Sequence, residues 1–408
     1  MLRLKDTRHG NTASLLSEAV RLAEYYGFVQ LESLPRANTP LGGVKRPYIP
    51  LAKVESEIAF ARRDERALLS SVRKCLGALG ARQGGSVLAW RLVPGPAGIP
   101  SMTLELHVVG PSSAIAEALL IVVGSAIAEE AGLTQRSLAI NNIGSMESSN
   151  RFVRDVGAYL RKHIESISPT LRPRAATDPL GTLVQLIEKG HPASPRAPQA
   201  MEYLTEEERR RFWELLEYLE LFGLPYELNP HILGSRDVWS HALYELSALD
   251  ADSGAKIPFA FGGRYDPLAS RFARMPISGA MLSITCEVRG KTRMKRPQHA
   301  STGEVQPAIY FAHLGGEARR RVLSVLENLR RAGIRVHHGI WHERIGEQML
   351  QARSLATPYI LIMGHKEAME GTILVREVAT NSQDAIPLPE LPNFLKRHRV
   401  GMPKEARA

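Results

Sequence analysis

Residues 260–268 decide how this chain is read: Ala260-Phe261-Gly262-Gly263-Arg264-Tyr265-Asp266-Pro267-Leu268. Two consecutive glycines let the backbone approach a ligand or a neighbouring strand. An arginine, a tyrosine and an aspartate then follow on one tight turn, so three polar side chains start from a single point of the fold. The same stretch also fits a simpler structure, a glycine turn between two strands with an Arg–Asp pair on the surface.

The size of the chain predicts more than one domain. Its 408 residues are many for one hydrophobic core, and 44% hydrophobic residues is an ordinary fraction for a globular protein.

The longest apolar stretch, Ile115–Ile127, contains Glu117 and is too short to span a bilayer, so we expect a buried helix and no membrane association. The N-terminus is charged from Arg3 onward, which argues against a signal peptide and predicts a cytoplasmic protein.

The charge of the chain favours a polyanionic partner. Fifty-two Lys and Arg residues against 42 Asp and Glu give a formal charge of +10. Cationic side chains displace counterions from phosphates, so a basic protein gains affinity for nucleic acid. Charge alone does not select RNA over other polyanions.

The sequence predicts no metal site. Cys75 and Cys286 are far apart and lack metal-ligand spacing, so we expect two buried thiols. His337 and His338 are adjacent, and neighbouring strand residues point to opposite faces, which favours a solvated strand edge with His342 nearby.

The organisation of the chain suggests two folded parts and a tether. Residues 1–290 alternate helices and strands, with a helical insertion at about 150–205. Residues 291–305 are polar and basic without apolar periodicity, which is typical of a linker. Residues 306–398 form a separate α/β pattern, and 399–408 form a basic flexible tail.

One helix has a well-marked start. Thr205 followed by Glu208 three positions later is the pattern of a capping box. An apolar stripe at helical spacing follows, and we expect it to pack inward. Its members are Phe212, Leu215, Leu216, Leu219 and Phe222.

The C-terminal part reads as alternating strands and helices. The predicted strands are 308–312, 334–336, 359–363 and 372–378, and the predicted helices are 317–332, which Gly333 ends, and 343–355. Strands that alternate with helices predict a largely parallel sheet covered on both faces.

Eight segments in the same order resemble the histidyl-tRNA synthetases, a family of class II aminoacyl-tRNA synthetases. Residues 260–268 are similar to the family's GGRYDGL turn. Each other match is weak alone, but their order over the chain makes the resemblance specific. The segments are Leu4–Arg8, Tyr26–Phe28, Ile140–Gly144, Asp178–Leu183, 260–268, Ala332–Ile334, Gly346–Ala352 and Tyr359–Gly364.

The resemblance implies an α/β (α+β) protein. Its core would be a class II synthetase-like antiparallel sheet with helices, and its C-terminal part an α/β anticodon-binding-like domain. It also implies ATP and Mg²⁺ as cofactors, tRNA rather than DNA as partner, and a homodimer through residues 14–28. The tRNA-binding residues it indicates are Arg344, Gln348, Arg353 and Lys366.

The first catalytic motif is only partly present. A synthetase must neutralise the phosphates of ATP, and arginine suits this because its planar fork pairs with two phosphate oxygens. Arg91 keeps the family's phosphate-binding position, and Glu105 and His107 also match. Val93 replaces an acid and Val108 replaces a polar substrate contact, so two ordinary antiparallel strands also fit this segment.

In the second motif, residues 234–245, the arginine stands two positions later than in the family. Asp237 and Glu245 align with the family, but the substrate-activating arginine falls on Gly234. Arg236, two positions later, is the candidate replacement, displaced by about 6–7 Å if the segment is a strand. Trp239 stands where, in the family, one of a pair of tyrosines shapes the histidine pocket, so the resemblance does not imply selectivity for histidine.

The third motif also departs from the family. The position of the adenine-stacking arginine carries Cys286, and Arg289 lies three positions further on. We therefore predict Arg91 and Arg236 as the catalytic candidates. The predicted ATP and substrate pocket is formed by Glu105, His107, Asp237, Trp239, Glu245, Gly262, Gly263, Arg264, Tyr265 and Arg289.

Three functions remain compatible with the sequence. The leading hypothesis is a synthetase-like protein with a degenerate active site that binds tRNA through its C-terminal domain in a binding or regulatory role. The second is a working, divergent histidine–tRNA ligase whose site is rebuilt from Arg91, Arg236, Arg264 and Arg289. The third is a synthetase-like regulatory subunit of ATP phosphoribosyltransferase, which the C-terminal unit and the altered histidine pocket disfavour.

Overall fold

The computed structural model describes residues 8–9, 11–40, 46–62, 65–82, 85–95, 100–133, 135–249, 254–287, 307–398 and 400. The chain divides into two compact units. The first comprises residues 1–23, 28–216 and 224–292, and the second comprises 24–27, 217–223 and 293–408. The predicted linker and nearly all of the predicted tail lie outside the described residues, as does Arg289.

The first unit is built on one large sheet. Its strands are β1 Val29–Gln30, β2 Val87–Pro94, β3 Ser101–Val109, β4 Arg136–Asn142, β5 Tyr226–Leu228, β6 Ser240–Leu249, β7 Lys256–Arg264 and β8 Gly279–Glu287. Its helices are α1 Thr12–Tyr25, α2 Leu51–Glu57, α3 Glu65–Ala81, α4 Ile115–Glu130, α5 Met146–Lys162, α6 Arg172–Thr177, α7 Pro179–Glu188, α8 Glu206–Phe222 and α9 Asp266–Ala273. The last residues of α1 and α8 belong to the second unit.

The eight strands lie in the order β1-β2-β3-β8-β7-β6-β4-β5. The five strand pairs from β2 to β4 are antiparallel, and only the short strands at the two edges pair in parallel. The predicted antiparallel sheet with helices is therefore confirmed. The quoted glycines lie inside β7 and not in a turn between strands, because the chain continues directly into α9.

One face of this sheet packs against α4. Nearly the whole helix is buried, as the apolar stretch Ile115–Ile127 predicts. Gly124 allows the close approach, since a Cβ there would lie 2.5 Å from a methyl of Leu282 in β8 and 2.8 Å from one of Leu246 in β6. No described helix combines the length and apolar character that crossing a bilayer requires.

The predicted capping box at the start of α8 is confirmed. The Thr205 N–H donates to the Glu208 carboxylate at 2.7 Å, and the Glu208 N–H donates to the Thr205 hydroxyl at 3.3 Å. The same carboxylate also accepts the Ser145 N–H at 2.6 Å and the Ser148 hydroxyl at 2.7 Å. Glu208 therefore caps α8 and the first turn of α5 together.

The second unit holds a five-stranded sheet. Its elements are β9 Ile309–His313, α10 Gly316–Arg331, β10 His337–His338, α11 Ile345–Ser354, β11 Tyr359–Met363, α12 His365–Glu370, β12 Thr372–Glu377, β13 Gln383–Pro387 and α13 Leu391–Arg397. The order is β10-β9-β11-β12-β13, parallel for the first three strands and antiparallel for the last three. The expectation of a largely parallel sheet was wrong, because β12 runs antiparallel to β11. A short turn after β12 then returns the chain as β13 in an antiparallel hairpin that the sequence did not indicate.

Residues 24–27 pack within this second unit. The Tyr25 hydroxyl donates to the carbonyls of Leu326 and Ile334 at 3.2 and 2.9 Å. The buried Tyr26 hydroxyl donates to the carboxylate of Glu327, which also accepts from Arg330 and Arg331. Burial first, then the nearby Glu327 charge, raise the pKa of both tyrosines.

Candidate functional site

Five polar or aromatic residues, three of them predicted site residues, lie in one row across the large sheet. Arg91 of β2 is opposite Glu105 of β3, which is opposite Ser283 of β8. Ser283 is opposite Phe261 of β7, which is opposite Glu245 of β6. Residues directly opposite each other on neighbouring strands point to the same face. This surface, called here the row face, is the face opposite α4.

Arg91 is engaged by protein groups on the row face. Its Nη1 donates to the Ser71 hydroxyl of α3 at 2.8 Å, and that hydroxyl donates to Glu105 Oε2 at 2.5 Å. The Nε atom of Arg91 lies 3.5 Å from Glu32 Oε1 and 3.9 Å from Glu105 Oε2. The Arg91 side chain is only 12% exposed, so it has little room to reach another anion.

Glu105, His107 and Tyr265 lie together, as the sequence predicts for pocket residues. His107 Nδ1 is 3.2 Å from the Tyr265 hydroxyl, and His107 Nε2 is 3.6 Å from Glu105 Oε2. Burial opposes ionisation of Glu105, but His107, Ser71 and Arg91 together hold the pKa of this carboxyl below its ordinary value. The cluster is therefore a buried network around an ionised carboxylate.

Trp239, in the segment that matches the second motif, is held by a buried carboxylate. Its indole N–H donates to Glu65 Oε1 at 3.0 Å, and the Ser235 N–H donates to the same oxygen at 2.7 Å. The N–H groups of Ala61 and Arg62 donate to the other oxygen of Glu65. These contacts bury the Glu65 carboxylate completely.

The space beside Gly234 is filled. A Cβ on this residue would lie 2.4 Å from Trp239 Cδ1 and 3.0 Å from Glu65 Oε1. Side chains do not approach that closely, so the position that the resemblance assigns to the activating arginine accepts only glycine here. Trp239 also contacts Phe261 edge to face, with ring centroids 5.6 Å apart.

Arg236 and Asp237, in the same segment as Trp239, contact helices and loops away from Arg91. Arg236 donates to the Asn150 side chain of α5 at 2.7 Å. The Asp237 carboxylate accepts the Ala59 N–H at 3.2 Å and lies 3.4 Å from Arg271 of α9. The structure therefore does not bring Arg236 to the protein groups that hold Arg91.

Arg264 belongs to a buried ion network instead of an open pocket. Its Nε and Nη2 donate to the two oxygens of Glu117 in α4, at 2.9 and 2.5 Å. Further contacts reach the carbonyls of Pro111 and Ser113 and the carboxylate of Asp266. The expected Arg–Asp pair is present, with Arg264 3.4 Å from Asp266, but it is not a surface pair, because the Arg264 side chain is 0% exposed.

A second arginine completes this network. Arg211 of α8 donates to Glu117 at 2.8 Å. Burial opposes ionisation of Glu117, but the charges of Arg211 and Arg264 outweigh it and lower the pKa to about 2. Burial raises the pKa of Asp266, an effect that Arg264 partly offsets. The network is thus held as ions inside the fold.

The glycine pair serves close packing. A Cβ on Gly262 would lie 2.3 Å from the Met281 carbonyl oxygen and 2.4 Å from the Tyr244 ring. A Cβ on Gly263 would lie 2.4 Å from a methyl of Leu243. Both glycines are needed by the neighbouring strands themselves.

The far end of the row face is less closed. Glu245 is half-buried, and burial raises its pKa, partly offset by the charge of Arg62. The Arg62 guanidinium lies 4.4 Å from the centre of the Phe261 ring. Arg62 is a cation of this region that the sequence reading did not single out.

The predicted tRNA-binding residues divide into one buried and three exposed side chains. Gln348 is 0% exposed, and its amide accepts from the His313 N–H at 2.9 Å and donates to the carbonyls of His313 and His342. It therefore fastens α11 to the end of β9 and the loop after β10. Arg344, Arg353 and Lys366 are exposed.

The described residues contain no group of three or more side chains able to hold a metal ion. His337 and His338 lie on an edge strand, as predicted, but they are half-buried and not solvated. Their rings stack with centroids 6.4 Å apart.

Sequence reasoning missed Glu65 and Ser71. Trp239 and Ser235 lie 174 and 170 positions from Glu65, and Arg91 and Glu105 lie 20 and 34 positions from Ser71. No local pattern connects such pairs. Their spacing gives no signal either, since residues six apart on a helix point about 120° away from each other.

Comparison with known proteins gives a consistent relationship. Residues 309–398 match the family described as "Anticodon binding domain". Histidine–tRNA ligase 1 of Shouchella clausii is 27% identical over 296 residues, which cover 72% of this chain and 69% of the relative. Histidine–tRNA ligase of Bacillus subtilis is 26% identical over 298 residues, covering 72% and 70%. The apo histidyl-tRNA synthetase of S. aureus aligns with 94% of this chain and 95% of its own at a TM-score of 0.48 and 18% identity.

Proposed function

Because this chain is a relative of the histidyl-tRNA synthetases, we propose that it is a cytoplasmic tRNA-binding protein whose synthetase site no longer activates an amino acid. Its role is binding or regulation. The C-terminal unit supplies the RNA-binding surface, and the row face is retained as a structural core.

The observation that carries this proposal is the position of the two candidate catalytic arginines. Arg91 is held by Ser71, Glu32 and Glu105, and Arg236 is bonded to Asn150. Phosphoryl chemistry needs cations that converge on the phosphates and are free to pair with them. Each arginine instead has a protein partner of its own.

The residues present do not fit ATP and Mg²⁺. The phosphate-binding position, Arg91, is already paired, and the position of the adenine-stacking arginine carries the buried Cys286. The described residues offer no cluster of metal-binding carboxylates. We therefore assign no catalytic step to ATP.

Binding of tRNA is supported by the match of residues 309–398 and by the exposed cations Arg344, Arg353 and Lys366. Phosphate contacts make affinity depend on salt, and each neutralised phosphate adds about −0.7 to −0.9 to the slope of log K against log salt. We expect titration of a tRNA pool to give a negative slope of several units, measured by filter binding between 50 and 300 mM salt.

Amino-acid activation tests the catalytic part of the proposal. Pyrophosphate exchange should remain at background with ATP and histidine, while a working histidyl-tRNA synthetase assayed in parallel gives signal. Exchange at enzymatic rates that Arg91→Ala abolishes would establish the working-ligase alternative. Copurification with a phosphoribosyltransferase would instead support the regulatory-subunit alternative.

The proposal includes a homodimer through residues 14–28, which the family resemblance implies. Light scattering coupled to size exclusion should give about twice the monomer mass of 45.0 kDa. A monomer at micromolar concentration would remove this part of the proposal and leave tRNA binding untouched.

A further inference from the structure

Helix α3 packs against β2 and β3, at one end of the row face. Its apolar side chains Leu68 and Val72 share one buried cluster with Leu243 and Met281, which belong to the strands of that face. Met281 and Leu243 flank Gly263 in the row next to Arg91 and Glu105. The helix therefore covers the part of the row face that β2 and β3 form and that carries Arg91 and Glu105.

Two polar side chains fasten α3 to this surface. Glu65, at the start of the helix, accepts from Trp239 and Ser235. Ser71, almost two turns later, bridges Arg91 and Glu105. Both anchors are fully or nearly fully buried, where hydrogen bonds to charged groups are strong and costly to leave unmade.

The anchors use the groups that a ligand would need. Ser71 accepts a hydrogen bond from the Arg91 guanidinium, the cation on the row that matches a phosphate-binding position. Glu65 takes the indole N–H of Trp239 and the backbone N–H of Ser235, in the segment where substrate recognition is expected. The space beside Gly234 is filled by Trp239 and Glu65.

We propose that α3 acts as an internal ligand at the β2–β3 end of the row face, with Ser71 and Glu65 occupying the groups that a nucleotide would use. This inference rests on the proposed function and deepens it, because it names what occupies the former substrate surface. Arg91 is then a positioning residue for α3. Its loss should weaken the fold and leave nucleotide affinity unchanged.

The first test is a double-mutant cycle between Ser71→Ala and Arg91→Ala in the full chain, read as the urea midpoint. We expect each single variant to lower the midpoint and the double variant to lower it by less than the sum of the two, because both remove the same contact. Arg66→Ala is the control, since Arg66 is on α3 but its side chain is 67% exposed. Its effect should add to that of Ser71→Ala.

The second test measures ATP·Mg²⁺ binding by calorimetry. The wild type should give no binding heat at millimolar ATP. Micromolar binding that Arg91→Ala removes without changing the urea midpoint would overturn the inference, and so would additive effects in the cycle. Failure of tRNA binding with an intact Ser71–Arg91 coupling would instead refute only the proposed function.

Discussion

At the scale of single residues, the most conspicuous side chain of the sequence has a role that its motif does not reveal. Arg264 follows a glycine pair that suggests approach to a ligand, yet its guanidinium forms a two-pronged pair with Glu117. An arginine and a carboxylate taken out of water together are tolerated because their hydrogen bonds are satisfied. Arg264 thus joins β7 to α4.

Removing one partner of this pair should be costly. Glu117→Gln leaves the buried Arg264 charge with only the more distant Asp266 carboxylate, at 3.4 Å, as counterion. Loss of one member of a buried pair typically costs about 3–5 kcal/mol. Urea denaturation should show this loss of unfolding free energy. Lys256→Ala is the control, because its pair with Glu227 is about half exposed and such pairs contribute roughly 0–1 kcal/mol. Similar effects of both variants would contradict this account.

Substitution of Gln348 should lower stability, whereas substitution of Arg353 should lower the affinity for tRNA. Gln348→Ala leaves buried backbone groups of His313 without partners, which costs about 1–3 kcal/mol per unsatisfied group. Arg353→Ala removes an exposed cation and should weaken tRNA binding with little change in stability. Thermal unfolding and filter binding on both variants check this, and the reverse pattern would place Gln348 in the RNA contact.

At the scale of elements, one carboxylate organises two helices that are far apart in sequence. Glu208 accepts at the start of α8 and from Ser145 and Ser148 at the start of α5. Both helix starts present unpaired N–H groups and a partial positive charge, so one anion satisfies both. The polarity of a single residue therefore fixes where two helices meet.

Glu208→Gln should loosen both helices. The amide keeps the shape but lacks the charge and one acceptor, so we expect a loss of about 1–3 kcal/mol in unfolding free energy. Hydrogen exchange should accelerate in the first turns of α5 and α8 together. Acceleration in α8 alone would show that the α5 contact is dispensable. Glu207→Gln is the matched control, since Glu207 is exposed on the same turn.

At the scale of the whole molecule, we expect three histidines to set the response to acid, of which His313 is buried and His241 and His338 are half-buried. Burial, as the first cause, lowers the pKa of His241 and His313 to about 4 and of His338 to about 3. The unfolded chain binds protons at these groups near pH 6.5, and the folded chain does not until much lower pH. The stability they support is thus complete above about pH 6.5 and is lost as pH falls toward 4.

This argument predicts acid sensitivity well above the range in which carboxylates titrate. The free energy of unfolding should fall steadily between pH 6.5 and 4.5, and His313→Gln should flatten that slope. Urea midpoints at half-unit pH steps measure it. Glu117 and Glu208, whose pKa values are lowered to about 2, should add to the loss only below about pH 4.5. A flat profile down to pH 5 would contradict the buried neutral state of these rings.

The sequence by itself determined the class of the fold and the positions of several helices. Apolar periodicity and the Thr205–Glu208 pattern placed α4 and α8, because helix period and capping depend on residues within a few positions of each other. The order of short motifs indicated the family. The C-terminal hairpin was missed because the sequence reading took 372–378 as the last strand of the sheet.

Only the tertiary structure decided what the polar residues do. Arg91 meets Ser71, Trp239 meets Glu65 and Arg264 meets Glu117 across separations of 20, 174 and 147 positions. Whether an arginine faces a ligand or a buried carboxylate depends on the partner that folding places beside it. That partner is chosen by the register of strands and the packing of helices, which no local pattern encodes.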